Sequence, residues 1–228
     1  MRSGSSSTSL AARAVEVLGG RYSTELGIDV DRDEMEIERW ALAATLFGGR
    51  ISAAIAQRTF VALQAGGVHT IADAGRCDLN RLIELLDAGG YARYDMRTAK
   101  RLHDIARTLT PQHGRVSSLL DQPPQELMSA LDALPGWGPV TVSLFLRELR
   151  GVRTNIEPPI DPRALSAAEH LGLIDGESAD ALVQLRAAAS DAHIDLRDLE
   201  SALVRLSLTH RHAITRCPGG ERCALLAH

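Results

Sequence analysis

Three short stretches of this chain carry residue types that can do chemistry. Leu134-Pro135-Gly136-Trp137-Gly138-Pro139-Val140-Thr141 lies between two amphipathic runs, 125–133 and 142–149. Its glycines admit positive φ and leave no Cβ, so another backbone can approach the turn closely. Pro139 suits the first position of a helix, where a missing N–H costs nothing. The free amides of that helix start, at the positive end of its dipole, make an anion site of the kind a phosphate fills. An ordinary αα-hairpin whose glycines only make the turn fits the same residues. The second stretch is Ile160-Asp161-Pro162, where local sequence reads Asp161 as a helix N-cap followed by proline at N1. The third is the C-terminal set Cys217, Cys223, His210, His212 and His228, whose side chains are zinc-ligand types, although a basic tail with unligated thiols fits them as well. Any side-chain amine chemistry has one candidate, because Lys100 is the only lysine among 25 Lys and Arg residues.

These residues need elements to position them. The 228 residues are 45% hydrophobic but only 4% aromatic, with abundant alanine, leucine and arginine, a mix that predicts an all-α protein and excludes a β-sandwich or barrel. Apolar residues recur at helical spacing near 10–19, 34–47, 52–65, 78–88, 95–110, 123–133, 139–150, 162–172, 177–190 and 195–209. Gly19-Gly20, Gly48-Gly49, Gly66-Gly67, Gly89-Gly90, Gly114, Gly151 and Gly172 stand where helices need a left-handed C-terminal residue. Met1–Ser9 has no apolar core of a secretory signal and reads as a disordered tail. No apolar stretch approaches the roughly 20 residues of a membrane span, so no membrane partner is expected. Three cysteines, Cys77, Cys217 and Cys223, offer no disulfide framework and fit a reducing compartment.

The net charge of −4 argues against a generally basic coat, but its distribution is uneven. Residues 25–38 hold seven acids against Arg32, whereas 91–115 hold six bases against Asp95 and Asp104. Charge alone reads these as two solvated helix faces of opposite sign.

Leu134–Thr141 resembles the helix-hairpin-helix of the HhH-GPD superfamily of DNA glycosylases. The resemblance extends upstream through Gly90-Tyr91-Ala92-Arg93-Tyr94-Asp95-Met96-Arg97-Thr98-Ala99-Lys100 and downstream to Ile160-Asp161-Pro162-Arg163-Ala164-Leu165, covering roughly 34–173. It implies a two-lobed fold, with 33–155 forming a six-helix lobe and 10–32 plus 156–228 a second, and duplex DNA held with one damaged nucleotide flipped out. Asp161 then takes the place of the family's catalytic aspartate, whose charge stabilises the oxocarbenium-like sugar. Leu134, Gly136, Trp137, Gly138, Val140, Thr141 and the basic Arg93 are the implied nucleic-acid contacts. Arg50, in the Phe47-Gly48-Gly49-Arg50 loop, is either the plug for the gap left by the flipped base or a surface arginine after a helix stop. Tyr91 and Tyr94 are the favoured pocket aromatics, ahead of Trp40 and Phe47, whose helical spacing also suits a core.

Departures from the family pattern narrow the implied chemistry. Val140 stands where bifunctional relatives keep their Schiff-base lysine, which leaves water as nucleophile and an intact abasic site as product. The C-x6-C-x2-C-x5-C set of the iron–sulfur members retains only Cys217 and Cys223 with the final spacing, so no cluster and no cofactor is expected, zinc at those cysteines being the minor option. No acid occurs between Trp40 and Val68, which counts against the adenine-mismatch branch. The expectation is a monomeric, cytoplasmic (nucleoid-associated in a prokaryote) monofunctional glycosylase, alkylated purines being favoured over mismatched or deaminated bases. A non-catalytic hairpin protein that recognises distorted DNA and an abasic-site lyase using Lys100 or the N-terminal amine are the alternatives.

Overall fold

The computed structural model describes residues 4–49, 51–109, 114–175, 180–210, 214 and 216–226, of which 4–9 by their backbone only. The protein is all-α, with no strand among the described residues. No helix of these residues is long and apolar enough to cross a membrane. The chain divides into two compact units, Leu26–Glu157 and the combined ends Met1–Glu25 with Pro158–His228. The sequence placed these boundaries near 33 and 155.

Leu26–Glu157 is built around α3 (Glu34–Phe47), which is buried along most of its length from Glu36 to Leu46. Against it pack α4 (Ala53–Ala65), α5 (Ile71–Arg76) and α9 (Pro139–Glu148); α6 (Leu79–Ala88) packs on α4, α7 (Asp95–Leu109) on α5 and α6, and α8 (Pro124–Asp132) on α9. The small residues Ala41, Ala43 and Ala44, all fully buried, let neighbouring helices come close to α3. Trp40 lies in this core and donates its indole N–H to the Phe145 carbonyl at 3.2 Å.

The acidic run at the entry of α3 is mostly the solvated face that charge alone suggests, with Glu25, Asp29, Asp31, Asp33 and Glu34 exposed, but two of its acids turn inward. Asp33 caps the helix. Glu36, 1% exposed, binds Arg32 at 2.6 Å and Arg39 at 2.8 Å. Glu38, 2% exposed, accepts the Ser117 amide at 2.6 Å. These two carboxylates are partnered inside the unit, where an unpartnered one would be costly.

The other unit comprises α1 (Gly4–Leu18), α2 (Tyr22–Glu25), α10 (Pro162–Leu171), α11 (Ala181–Asp191) and α12 (Leu196–His210). Its core joins Leu10 and Ala14 of α1 to Ala168 and Leu171 of α10 and Leu199 and Leu203 of α12. Arg205 fastens α12 to the α1–α2 corner: it stacks over Tyr22 at 4.0 Å, pairs with Glu25 at 2.8 Å and donates to the Leu18 and Gly20 carbonyls.

The first helix starts at Gly4, inside the stretch read as a disordered tail. Once the apolar face from Leu10 is packed, each added upstream residue extends an existing helix and needs no new nucleus. The glycine stops are also partly corrected. Gly19, Gly67, Gly90, Gly114, Gly151 and Gly172 have positive φ, but neither member of Gly48-Gly49 does.

Candidate functional site

The α8–α9 hairpin turns on Ala133–Gly138. Trp137 N–H closes the turn onto the Leu134 carbonyl at 2.9 Å, and Gly136 between them takes φ +76°. The two glycines do different work. A Cβ on Gly136 would lie 2.3 Å from Arg101 Nε, whereas a Cβ on Gly138 would meet nothing within 4 Å. Gly138 is the N-cap of α9 in extended backbone, without a side-chain cap, and Pro139 follows at N1. The first amides of α9 therefore face a site with room for an incoming group and no competing side-chain oxygen.

Arg97, Lys100 and Arg101 of α7 and Arg93 just before it outnumber Asp95 and Asp104 in the lining of a hollow of about 570 Å³ that also takes in Pro135 and Gly136. A neighbouring hollow of about 470 Å³ shares Arg97, Arg101 and Gly136 and extends to Gly48, Gly49, Tyr91 and Tyr94. The Gly48-Gly49 pair is small because of what packs against it. A Cβ on Gly48 would sit 2.0 Å from Thr141 Oγ1, and one on Gly49 would sit 2.3 Å from Tyr91 Oη. Three features separated in sequence, the 48–49 loop, the 90–101 stretch and the hairpin turn, thus meet in one place. Guanidinium groups beside Gly136, two residues before an uncapped helix start, are groups of the kind that can bind a phosphate.

The expected contact residues divide accordingly. Leu134 and Trp137 are core residues, 3% and 5% exposed, and Trp137 spends its indole N–H on Thr45 Oγ1 at 3.0 Å while packing edge-on to Phe145. Their side chains are spent on the fold, which leaves the backbone of the turn as the part that can face an anion. Thr141 is buried against Gly48, while Val140 is 55% exposed. Arg93 is exposed, with its guanidinium carbon 5.8 Å from the Tyr94 ring centroid. Arg50 lies outside the described residues.

Of the pocket aromatics, Tyr94 is part-exposed, but Tyr91 is 2% exposed and donates its hydroxyl to the Leu46 carbonyl at 2.9 Å. Burial lifts the Tyr91 phenol above its ordinary range, so it stays a donor; it shapes the wall and does not reach into the hollow. Trp40 is core, and part-buried Phe47 packs beside it at 6.4 Å between ring centroids.

Asp161 belongs to the other unit. It is the N-cap of α10 and 3% exposed, and its Oδ1 accepts the Arg163 amide at 2.9 Å. Arg163 folds back to bind both oxygens, Nε to Oδ1 at 2.9 Å and Nη2 to Oδ2 at 2.6 Å. The Asp161 amide in turn donates to the buried Glu200 carboxylate at 3.1 Å. The hydrogen bond to Asp161 holds the Arg163 guanidinium above its ordinary value. The cap reading is thus realised, and the carboxylate is fixed in one orientation on a helix start.

Of the C-terminal ligand types, His210, Cys217 and Cys223 come together, while His212 and His228 lie outside the described residues. The structure adds His170, which the sequence reading missed: 40 positions before His210, it offers no local spacing signal. The chain matches no protein-family model and no curated protein.

Proposed function

We propose that the chain is a monofunctional DNA glycosylase with a two-lobed helix-hairpin-helix fold, hydrolysing the N-glycosidic bond of a damaged base, with alkylated purines the favoured substrates. The observation that carries this reading is the convergence of the open α9 start at Gly138-Pro139 with the arginines of α7 and the 48–49 loop. A duplex would be gripped through its phosphates there, and the target nucleotide extruded from the stack.

Asp161 supplies the fixed negative charge. Glycosidic cleavage builds positive charge on the sugar, and a carboxylate about 4 Å away at an effective dielectric of about 20 favours that state by about 4 kcal/mol. The same group can orient the attacking water. A cationic alkylpurine leaves with little acid assistance, which suits a site with one catalytic carboxylate. With Val140 at the lysine position, no amine adds to the sugar, and the product keeps an unbroken strand.

One observation favours a second reading, a non-catalytic DNA-binding protein: both Asp161 oxygens are already occupied by Arg163. A panel of duplexes, each with one modified base, tests between them. The glycosylase reading expects free base and strand breaks only after hot alkali. Binding without base release supports the second reading, and nicking before alkali with borohydride trapping through Lys100 would indicate a lyase.

A further inference from the structure

Among the described residues, a cluster of His and Cys side chains apart from the hairpin and α7 sits at the end of α12. His170 near the C-terminus of α10, His210 at the last position of α12, and Cys217 and Cys223 beyond it bring one ligand atom each within 4.8 Å of one another. His210 Nε2 is 3.2 Å from Cys223 Sγ, and the two imidazoles meet edge to face at 5.1 Å. Around a tetrahedral zinc, neighbouring ligand atoms stand about 3.3–3.8 Å apart, given bonds of about 2.0 Å to nitrogen and about 2.3 Å to sulfur. The four groups are thus already gathered to nearly that spacing.

Three further observations point to a ligand at their centre. His170 Nε2 is buried and has no hydrogen-bond partner, which is costly unless something accepts its lone pair or proton. Cys217 Sγ accepts the Ala224 amide at 3.4 Å, the kind of outer-shell contact that steadies a ligating thiolate. The 217–223 loop is folded tightly over the cluster: Gly219 has φ +70°, and a Cβ there would strike the His170 carbonyl at 2.3 Å. Cys223 and Leu226, both fully buried, join this loop to the core of the unit.

We propose that His170, His210, Cys217 and Cys223 bind one zinc ion, a structural site that clamps the C-terminal segment onto α10 and α12. Two thiolates and two imidazoles in tetrahedral reach suit zinc. A two-iron cluster with this ligand set places the histidines on one iron and the cysteines on the other, which the mutual approach of all four does not match. The site is closed by four protein ligands, leaving no position for substrate. Of the histidines expected beside the cysteines, His210, His212 and His228, it keeps His210 and adds His170, and it is independent of whether the protein excises bases.

The test is elemental analysis of the full chain purified after expression with added zinc, followed by chelation and back-titration with Zn²⁺ or Co²⁺. One zinc per chain is expected, and the cobalt form should show the strong visible absorption of a tetrahedral site with thiolate ligands. His170→Ala and Cys223→Ala should lose the bound equivalent, while His212→Ala and His228→Ala keep it. Should the first two variants fail to fold, the wild-type cobalt spectrum still decides. A wild-type chain that carries no zinc and takes up none, one that holds iron instead, or a folded His170→Ala variant with a full equivalent would overturn the proposal.

Discussion

Replacing Asp161 by asparagine separates the two jobs its position allows. The cap survives, because asparagine accepts the Arg163 amide at an N-cap about as well as aspartate does. The ion pair is lost, but Arg163 is 36% exposed and rehydrates, so the stability cost is about 1 kcal/mol. Catalysis should respond far more strongly. A lone carboxylate about 4 Å from the sugar cation contributes about 4 kcal/mol; an Arg163 guanidinium left in place about 7 Å from it cancels about 2 kcal/mol of this. The net effect therefore runs from more than tenfold with Arg163 docked to about a thousandfold with Arg163 drawn away by a phosphate. Single-turnover base release by Asp161→Asn should fall within that range while its melting temperature moves by only a few degrees. Asp161→Ala, losing the cap as well, should be less stable again by about 1 kcal/mol. Undiminished base release by a folded Asp161→Asn protein would refute the charge mechanism and leave Asp161 as a cap.

Gly138→Asp should move stability and binding in opposite directions. The extended backbone at φ −143° suits an N-cap, so α9 gains a few tenths to about 1 kcal/mol, while the new charge at the phosphate site lowers affinity for damaged and undamaged duplex alike by at least about tenfold; unchanged affinity by fluorescence anisotropy would remove the hairpin from the interface. Val140→Lys places an amine at an exposed position and should give borohydride trapping and strand nicking that depend on Asp161, neither of which the wild type shows; wild-type trapping that survives Lys100→Arg and a blocked N-terminus would contradict the water mechanism. Burial holds the Glu38 carboxyl above its ordinary 4.5 despite the hydrogen bond from the Ser117 amide, so the folded protein binds that proton more tightly than the unfolded chain. Its contribution is complete below about pH 4.5 and is lost as pH rises through the raised value; Glu38→Gln should flatten that fall in melting temperature, and parallel curves would contradict it.

Apolar periodicity made the long helices legible, and α3, α4, α6, α7, α9 and α10 begin and end within about two residues of the expected limits. The short α5 was missed because six residues hold too little period to read, although Thr70 and Asp73 form a capping box that marks its start. Asp161-Pro162 was legible as a cap because capping is decided within three residues. The roles of Trp137 and Tyr91 were not, since each spends its polar atom on a partner far away in sequence, Thr45 and Leu46. The same holds for His170, which reaches the cysteines only because α10 and α12 pack together. Local chemistry is written in the sequence, while contacts across tens of residues depend on how the helices pack.

The most direct test is single-turnover incubation of the full chain with a duplex containing one alkylated purine, with the liberated base measured by chromatography and the strand examined without alkali. Stoichiometric free base is expected from an unbroken strand that alkali then cleaves. A folded protein that binds the duplex yet releases no base from alkylated, mismatched or deaminated substrates would contradict the glycosylase reading.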